Sequence, residues 1–292
     1  MNEILKLIRP HHWVKNLFLL IPIFFAGNIF NQYSIWQTLS GVVAFCFVSS
    51  VVYVINDLKD CEVDKLHPRK RERPIASGKV QPNVAVLITF LLLIIAIFFS
   101  YSLPYEFLWI LGIYLLINIL YSFGLKNIPI LDMIILSFGF ILRVLAGGVL
   151  SDVLISEWLI IMIFLLSLFL AIAKRREDIL IFNKSGMVSR SSTSNYNLQF
   201  INSSLTLISG VIIVSYLMYT LSADVNARIH FDYLYTTSVF VVMGIMRYLQ
   251  ITLVDNGGGS PIKILYKDRF IQITLLAWIL TFFYIIYFLN DV

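Results

Sequence analysis

The sequence predicts an all-α integral membrane protein with nine transmembrane helices, and three observations predict it. Of the 292 residues, 59% are apolar and only 13% are charged, whereas soluble domains carry about 25% charged residues. Mean hydropathy is +0.85. The apolar residues also gather into runs of about 20, the length of helix that crosses a hydrocarbon core ~30 Å thick. These properties exclude a disordered chain, a disulfide-stapled secreted scaffold and an ordinary cytosolic enzyme. The two cysteines, Cys46 and Cys61, lack metal or redox spacing and are expected as reduced thiols.

The runs fall at roughly 16–32, 35–55, 84–103, 107–124, 129–150, 157–174, 203–222, 234–251 and 270–289, with ends good to a few residues. The first follows Lys6, Arg9 and Lys15, as a signal peptide's apolar core would. Eight further runs and the lack of a clear A-x-A site make it a first transmembrane helix instead. No Gly/Ser linker or low-complexity tract divides the chain, so 1–292 reads as a single domain.

Orientation follows from the basic residues. With the N-terminus inside and the spans alternating, every one of the 22 Lys and Arg residues falls in an inside segment except Arg143 and Arg228. Cytoplasmic loops are enriched in Lys and Arg, so this bias places the N-terminus in the cytoplasm and the protein in the inner (plasma) membrane. The two long inside loops, about 57–83 and 174–202, hold most of the unusual chemistry. Function is therefore expected on the cytoplasmic face.

The first loop opens with Asn56-Asp57-Leu58-Lys59-Asp60-Cys61-Glu62-Val63-Asp64, which continues the second span. At about 100° per helical residue, Asp57, Asp60 and Asp64 fall within roughly 60° of one another, with Asn56 at the edge of that arc. Three carboxylates on one face repel unless something cationic sits among them. Oxygen-only ligands of this kind suit Mg²⁺, which is commonly shared with substrate phosphates. The plainer alternative is a solvated helix end whose acids pair with Lys59, Lys65 or Arg69.

A basic run follows, His67-Pro68-Arg69-Lys70-Arg71-Glu72-Arg73-Pro74. Alone it would be a positive-inside anchor or an anionic-lipid contact. Beside an acidic face it reads as a phosphate clamp, with Arg71 and Arg73 offering planar, permanently charged forks. Metal and arginine together can hold a diphosphate and stabilise it as a leaving group.

Asn56-Asp57-x-x-Asp60-x-x-x-Asp64 followed by Arg73-Pro74 resembles the first signature of the UbiA-type intramembrane prenyltransferase superfamily. Tyr121-Ser122 with Lys126 and Asp132 is similar to that superfamily's connection between the fourth and fifth helices. The resemblance covers nearly the whole chain. It implies a UbiA-like bundle of nine helices with a cytoplasm-facing active-site cavity, and Mg²⁺ held by Asp57, Asp60 and Asp64.

After the sixth span, superfamily members typically carry a second D-x-x-x-D motif. Here the position reads Ala173-Lys174-Arg175-Arg176-Glu177-Asp178. On a helix Lys174 shares a face with Glu177 and Asp178, while Arg175 and Arg176 point elsewhere. One reading is a helix C-terminus complemented by cations. The other is a site for a substrate richer in phosphate than an allylic diphosphate. Lys174-Arg175-x-Glu177 resembles the decaprenyl-phosphate phosphoribosyltransferase branch. So do Arg9-Pro10-His11-His12-Trp13-Val14-Lys15-Asn16 and Asn256-Gly257-Gly258-Gly259-Ser260-Pro261 with Lys267-Asp268-Arg269.

That resemblance implies Mg²⁺-dependent transfer of 5-phosphoribosyl from phosphoribosyl pyrophosphate to a polyprenyl phosphate. Lys174 and Glu177 join the three aspartates as candidate catalytic residues. Lys15, Asn16, Asn56, Arg71, Arg73, Tyr121, Lys126, Arg143, Arg175 and Asp178 are candidate substrate contacts. A lipid phosphate is already an anionic nucleophile and needs no general base, only cationic partners near the membrane surface. The alternative is prenyl transfer from a polyprenyl diphosphate to an aromatic or other lipophilic acceptor, which the absent second D-x-x-x-D disfavours. A transporter is a third class, but the chain shows no internal repeat. Membrane lipid is an expected partner and nucleic acid is not. A homo-oligomer stays open.

Within the spans, Tyr114, Asn118 and Tyr121 form a polar stripe at i, i+4 and i+7. Asp132, Gly139, Arg143, Ala146 and Gly147 fall near one face of the fifth span. Ionisable residues at membrane depth usually face a cavity or a partner, and small residues serve close helix packing. Arg143 suits either a buried structural pair or a ligand contact. Asp132 lies about 16 Å from it along the helix, too far to pair. His11, His12, His67 and His230 lack metal-ligand spacing.

Overall fold

Every regular element of the computed structural model, which describes residues 3–67, 70–185, 195–255 and 261–289, is a helix. In chain order these are α1 (Glu3–Ile8), a 3-10 segment (Pro10–Leu20), α2 (Ile21–Phe25), α3 (Gln32–Lys59), α4 (Cys61–Leu66), α5 (Pro82–Ser100) and α6 (Tyr105–Phe123). Then follow α7 (Leu131–Ser151), α8 (Glu157–Ser185), α9 (Leu198–Leu221), α10 (Ala223–Ile229), α11 (Ser238–Leu249), α12 (Pro261–Lys267) and α13 (Arg269–Tyr284).

Local chemistry sets the ends of these helices. Asn31 begins α3 by accepting bonds from the N–H groups of Tyr33 and Ser34. Asn197 caps α9 through Phe200 N–H at 2.7 Å, and Asp268 caps α13 through Ile271 N–H at 2.9 Å. Each satisfies a donor that the first turn leaves open. Pro82 starts α5, where its missing N–H is harmless.

Eight helical stretches among the described residues are long and apolar enough to cross a membrane. They match the last eight predicted runs. The ninth expectation, 16–32, meets a different structure: the 3-10 segment Pro10–Leu20 followed by the short α2. Pro22 removes a backbone donor inside the stretch, which opposes one continuous α-helix. At about 2.0 Å per 3-10 residue and 1.5 Å per α residue the stretch still extends about 30 Å, so it can span in an irregular form. The chain is thus a multi-pass membrane protein. On α5, Leu87, Phe90, Ile94, Ile97 and Phe98 form an exposed apolar stripe, the surface that lipid tails would cover.

The helices gather into two compact units. One holds residues up to Phe24, Asn28–Lys126 and Leu142–Leu154; the other holds Phe25–Gly27, Asn127–Ile141 and Ile155 onward. In the first, α3 packs against α5, α6 and the 3-10 segment, around Phe45, Val48, Phe107, Leu111 and Leu150. In the second, α8 packs on α9, and α11 on α9 and α13, around Phe169, Ile201, Leu205 and Tyr248.

Gly147 decides how closely α7 approaches the 3-10 segment. A Cβ there would overlap the Leu19 carbonyl oxygen and lie 2.9 Å from the Leu19 carbonyl carbon, both rigid backbone atoms. At Gly41 an added Cβ would instead meet the tip of the Leu150 side chain, which can move. Gly147→Ala is therefore expected to cost about 1–3 kcal/mol through overpacking, and Gly41→Ala less. Thermal unfolding in detergent checks this, and a Gly147→Ala chain that melts with the wild type contradicts the close approach.

Candidate active site

The acidic face predicted at the end of the second span is formed, with one interruption. Asp60 stands between α3 and α4 with φ −91° and ψ 1°. The bonds from Asp60 N–H to Asn56 O (2.9 Å) and from Asp64 N–H to Asp60 O (2.8 Å) keep helical spacing across the break. Asp57 and Asp64 are buried, 1% and 2% exposed.

Their cations come from elsewhere in the chain. Arg73 Nη1 donates to Asp57 Oδ1 at 3.0 Å and to Asp64 Oδ2 at 2.6 Å, bridging the two. Arg9 Nη2 donates to both Asp57 oxygens, at 2.6 and 2.7 Å. Lys126 Nζ lies 2.5 Å from Asp60 Oδ1 and also reaches Asn56 Oδ1 at 3.4 Å. Asn56 in turn donates to Asp60 Oδ2 at 3.2 Å. Burial pushes the Asp64 carboxyl above its usual value, with the Arg73 charge pulling the other way.

Three carboxylates thus face three cations. Asp57, Asp60, Asp64 and Asn56 supply only oxygen donors, the chemistry that Mg²⁺ takes. Among the described residues no three His, Cys, Asp or Glu side chains are grouped as an ion would need them, because the cations stand between the aspartates. The donor set fits such an ion once the carboxylates are shared between it and those cations.

The other predicted contacts of this unit sit differently. Asn16 is fully buried: its Nδ2 donates to Cys46 Sγ, and its Oδ1 accepts from Arg143 Nε at 2.8 Å. Arg143 Nη2 donates to Tyr114 Oη at 2.9 Å, and its guanidinium lies over the Tyr114 ring. Of the two roles open to Arg143, the geometry shows a buried tie between α7, α6 and the 3-10 segment. Lys15 is half-buried on that segment, Tyr121 is buried on α6, and Arg71 is exposed in the turn Lys70–Glu72.

The second cluster is laid out in its own unit. Arg175, expected to point away from the acids, is 1% exposed at the side chain. Its Nε donates to Asp132 Oδ2 at 2.7 Å and its Nη1 to Asp178 Oδ2 at 2.9 Å. A spacing of three residues leaves Arg175 and Asp178 only about 60° apart, so a long guanidinium bridges them. Tyr196 Oη donates to Asp132 Oδ1 at 3.0 Å and accepts from Ile130 N–H. Burial, foremost, pushes the Tyr196 phenol up to about 12. Lys174 and Glu177 are half-buried on the same helix. The glycine-rich stretch 256–260 and Arg69 lie outside the described residues.

Sequence reasoning missed the pairings of Arg9 with Asp57 and of Asp132 with Arg175. The first joins residues 48 apart and the second residues 43 apart, and no local pattern encodes such contacts. Asp132→Asn is expected to leave a buried guanidinium short of a charge and to lower stability by about 3 kcal/mol. Thermal unfolding measures it; a loss of activity at unchanged stability would speak for a direct chemical role instead.

Comparison with known proteins adds a family and a fold. A sequence profile described as the UbiA prenyltransferase family matches residues 16–271. The decaprenyl-phosphate phosphoribosyltransferase of Mycolicibacterium smegmatis is 33% identical over 98% of this chain and 93% of its own length. That of Corynebacterium glutamicum is 31% identical over 95% of this chain and 85% of its own. Among solved structures, a UbiA homolog from Archaeoglobus fulgidus bound to GPP and Mg²⁺ superposes with a TM-score of 0.72 at 18% identity. The match covers 98% of this chain and 99% of that one.

Proposed function

Since the chain belongs to the UbiA prenyltransferase family, whose members are transferases, we propose that it moves 5-phosphoribosyl from phosphoribosyl pyrophosphate to a polyprenyl phosphate. Full-length likeness to enzymes named for decaprenyl phosphate supports this reading. The observation that carries it is the second cluster. Where a second acidic motif would serve a second metal, Asp132 and Asp178 are already engaged by the buried Arg175. A single acidic face with neighbouring cations suits one sugar-phosphate donor and one anionic lipid.

In this reaction the bond between the ribose anomeric carbon and the diphosphate oxygen breaks, and a bond from that carbon to a lipid phosphate oxygen forms. Pyrophosphate leaves with its electron pair, and no proton has to be removed from the nucleophile. Asp57, Asp60 and Asp64 would hold Mg²⁺, which supplies positive charge for the departing diphosphate. Arg73 and Lys126 share that charge and fix the aspartates. Arg71 and Lys15 would meet phosphates near the membrane surface, and Lys174 and Glu177 are candidate phosphate and hydroxyl contacts on their own unit. Asn16, Arg143, Arg175 and Asp178 act by positioning, through the buried bonds of Asn16 with Arg143 and of Arg175 with Asp132 and Asp178. The distribution of Lys and Arg supports a cytoplasmic N-terminus and loops 57–83 and 174–202 on the cytoplasmic side of the plasma membrane.

Detergent-purified protein with Mg²⁺ tests the reading in two mixtures: labelled phosphoribosyl pyrophosphate with polyprenyl phosphate, and polyprenyl diphosphate with aromatic acids. Label is expected in lipid in the first alone; product in the second alone reverses the assignment to prenyl transfer. Asp60→Asn, at the most accessible of the three aspartates, is expected to lower kcat/KM at least about 100-fold, roughly 3 kcal/mol, with little change in Tm. Near-normal turnover would remove Asp60 from the ion's ligands. Lys174→Ala is expected to raise KM for the donor about tenfold.

A further inference from the structure

Arg9 is anchored unusually for a residue with a mobile role. It ends α1 in the left-handed region, at φ 53° and ψ 60°, which non-glycine residues rarely adopt. Its N–H donates to Leu5 O at 3.2 Å, and Pro10 follows at once. The chain is tied to α3 on both sides of this corner. Ser50 Oγ donates to Ile8 O at 2.8 Å, and Trp13 Nε1 donates to Ser50 Oγ at 3.0 Å. The backbone corner is therefore fixed, and only the side chain can swing.

That side chain reaches Asp57 through Nη2 alone, leaving Nε and Nη1 without a hydrogen bond among the described residues. This is not the two-nitrogen fork that guanidinium and carboxylate form at their strongest. The guanidinium also lies 5.2 Å from the centre of the Tyr53 ring, a surface it can slide across, and is 17% exposed. Asp57 keeps a second cation, Arg73, whether or not Arg9 stays.

Charge balance governs which ligands the cluster admits. Three aspartates are matched by Arg9, Arg73 and Lys126, with the Lys70 charge also acting on Asp64. A divalent cation entering alone meets three positive groups, and a diphosphate entering alone meets three negative ones. Each becomes acceptable when the other is present. We infer that Arg9 is an exchangeable counter-ion: it closes Asp57 in the empty site, then releases that carboxylate to the divalent cation and turns onto the donor's diphosphate. Arg9 thereby couples the two binding events, holding the ion out until the diphosphate arrives. The inference rests on the proposed function only for there being a diphosphate donor, whichever group that donor transfers.

Glycine is the informative replacement, because it removes the guanidinium and relieves the left-handed corner, so Arg9→Gly is expected to fold at least as well as the wild type. Binding of Mn²⁺ alone is read from the loss of its free-ion electron paramagnetic resonance signal. Binding of labelled phosphoribosyl pyrophosphate, and separately of labelled geranyl diphosphate, is read by equilibrium dialysis at fixed Mg²⁺. The expected result is opposite in sign for the two ligands: Mn²⁺ alone binds about tenfold tighter and the diphosphate about tenfold weaker. Arg9→Lys, with its charge but no fork, is expected to keep Mn²⁺ binding near wild type and still weaken the diphosphate. Weakening of both ligands, or unchanged Mn²⁺ binding, in Arg9→Gly overturns the inference and leaves Arg9 a structural tie. If the wild type binds geranyl diphosphate and not phosphoribosyl pyrophosphate, the proposed donor falls while the Arg9 test stands on geranyl diphosphate. A wild type that binds neither overturns both.

Discussion

Burying carboxylates at the end of a membrane-spanning helix is the constraint around which the first unit is arranged. Asp57 and Asp64 are almost without solvent, and an isolated ionised carboxylate in such a place would cost many kcal/mol. The compensating cations come from separate stretches of chain: Arg9 from the N-terminal corner, Arg73 from the loop after α4, and Lys126 from the connection after α6. None of these segments is long enough to hold its position by its own helix. The Arg9 corner is already tied to α3 through Ser50, and the charged cluster adds a further tie at this end of the unit.

A second set of ties makes the N-terminal corner rigid enough to serve the first. The 3-10 segment would be poorly held by its own hydrogen bonds, since long runs of that kind are uncommon. Side chains secure it instead: Trp13 on Ser50, Asn16 on Cys46 and Arg143, and Leu19 against the bare backbone of Gly147. Arg143 is central here. A guanidinium in the membrane interior, held by Asn16 and Tyr114 and covered by aromatic rings, joins three elements that share no sequence pattern.

Much of this architecture was legible in the sequence, and the exceptions share a cause. Apolar runs of bilayer length reveal α3, α5–α9 and the last two spans, because each span must satisfy its own backbone bonds in lipid. The aspartate face was legible because 57, 60 and 64 keep helical spacing across the α3–α4 break, and helical spacing is local. Pro22 was visible as a residue, but its effect on a whole span was not. The assignments that changed concern partners from distant segments. Arg175 was placed by helix angle away from the acids, yet a long flexible side chain spans the 60° that a wheel diagram treats as separation, and Asp132 comes from another helix. The plainer alternative, a solvated helix end whose acids pair with Lys59, Lys65 or Arg69, drew only on neighbours in sequence, and Arg69 lies outside the described residues. Lys65 pairs with Glu62 and Lys59 lies over the Phe123 ring, so the buried acids take their cations from afar.

The two charged clusters also differ in a way that separates chemistry from support. Around Arg175 the contacts close inward: two carboxylates on one guanidinium, and a phenol that both donates to Asp132 and accepts from a backbone N–H. Arg175 Nε and Nη1 and the Tyr196 hydroxyl already occupy Asp132 and Asp178, and admitting an ion would require dismantling those pairs. Around Asp60 the arrangement is open, with Asp60 25% and Lys126 18% exposed at the side chain, and with Arg9 using only part of its hydrogen-bonding capacity. Incomplete satisfaction at a partly exposed site is where a ligand gains most, because it supplies contacts that the protein withholds from itself. In the proposed reaction the open cluster at the end of α3 is the better place for an ion and a diphosphate, while Arg175 with Asp132 and Asp178 helps to hold its own unit together.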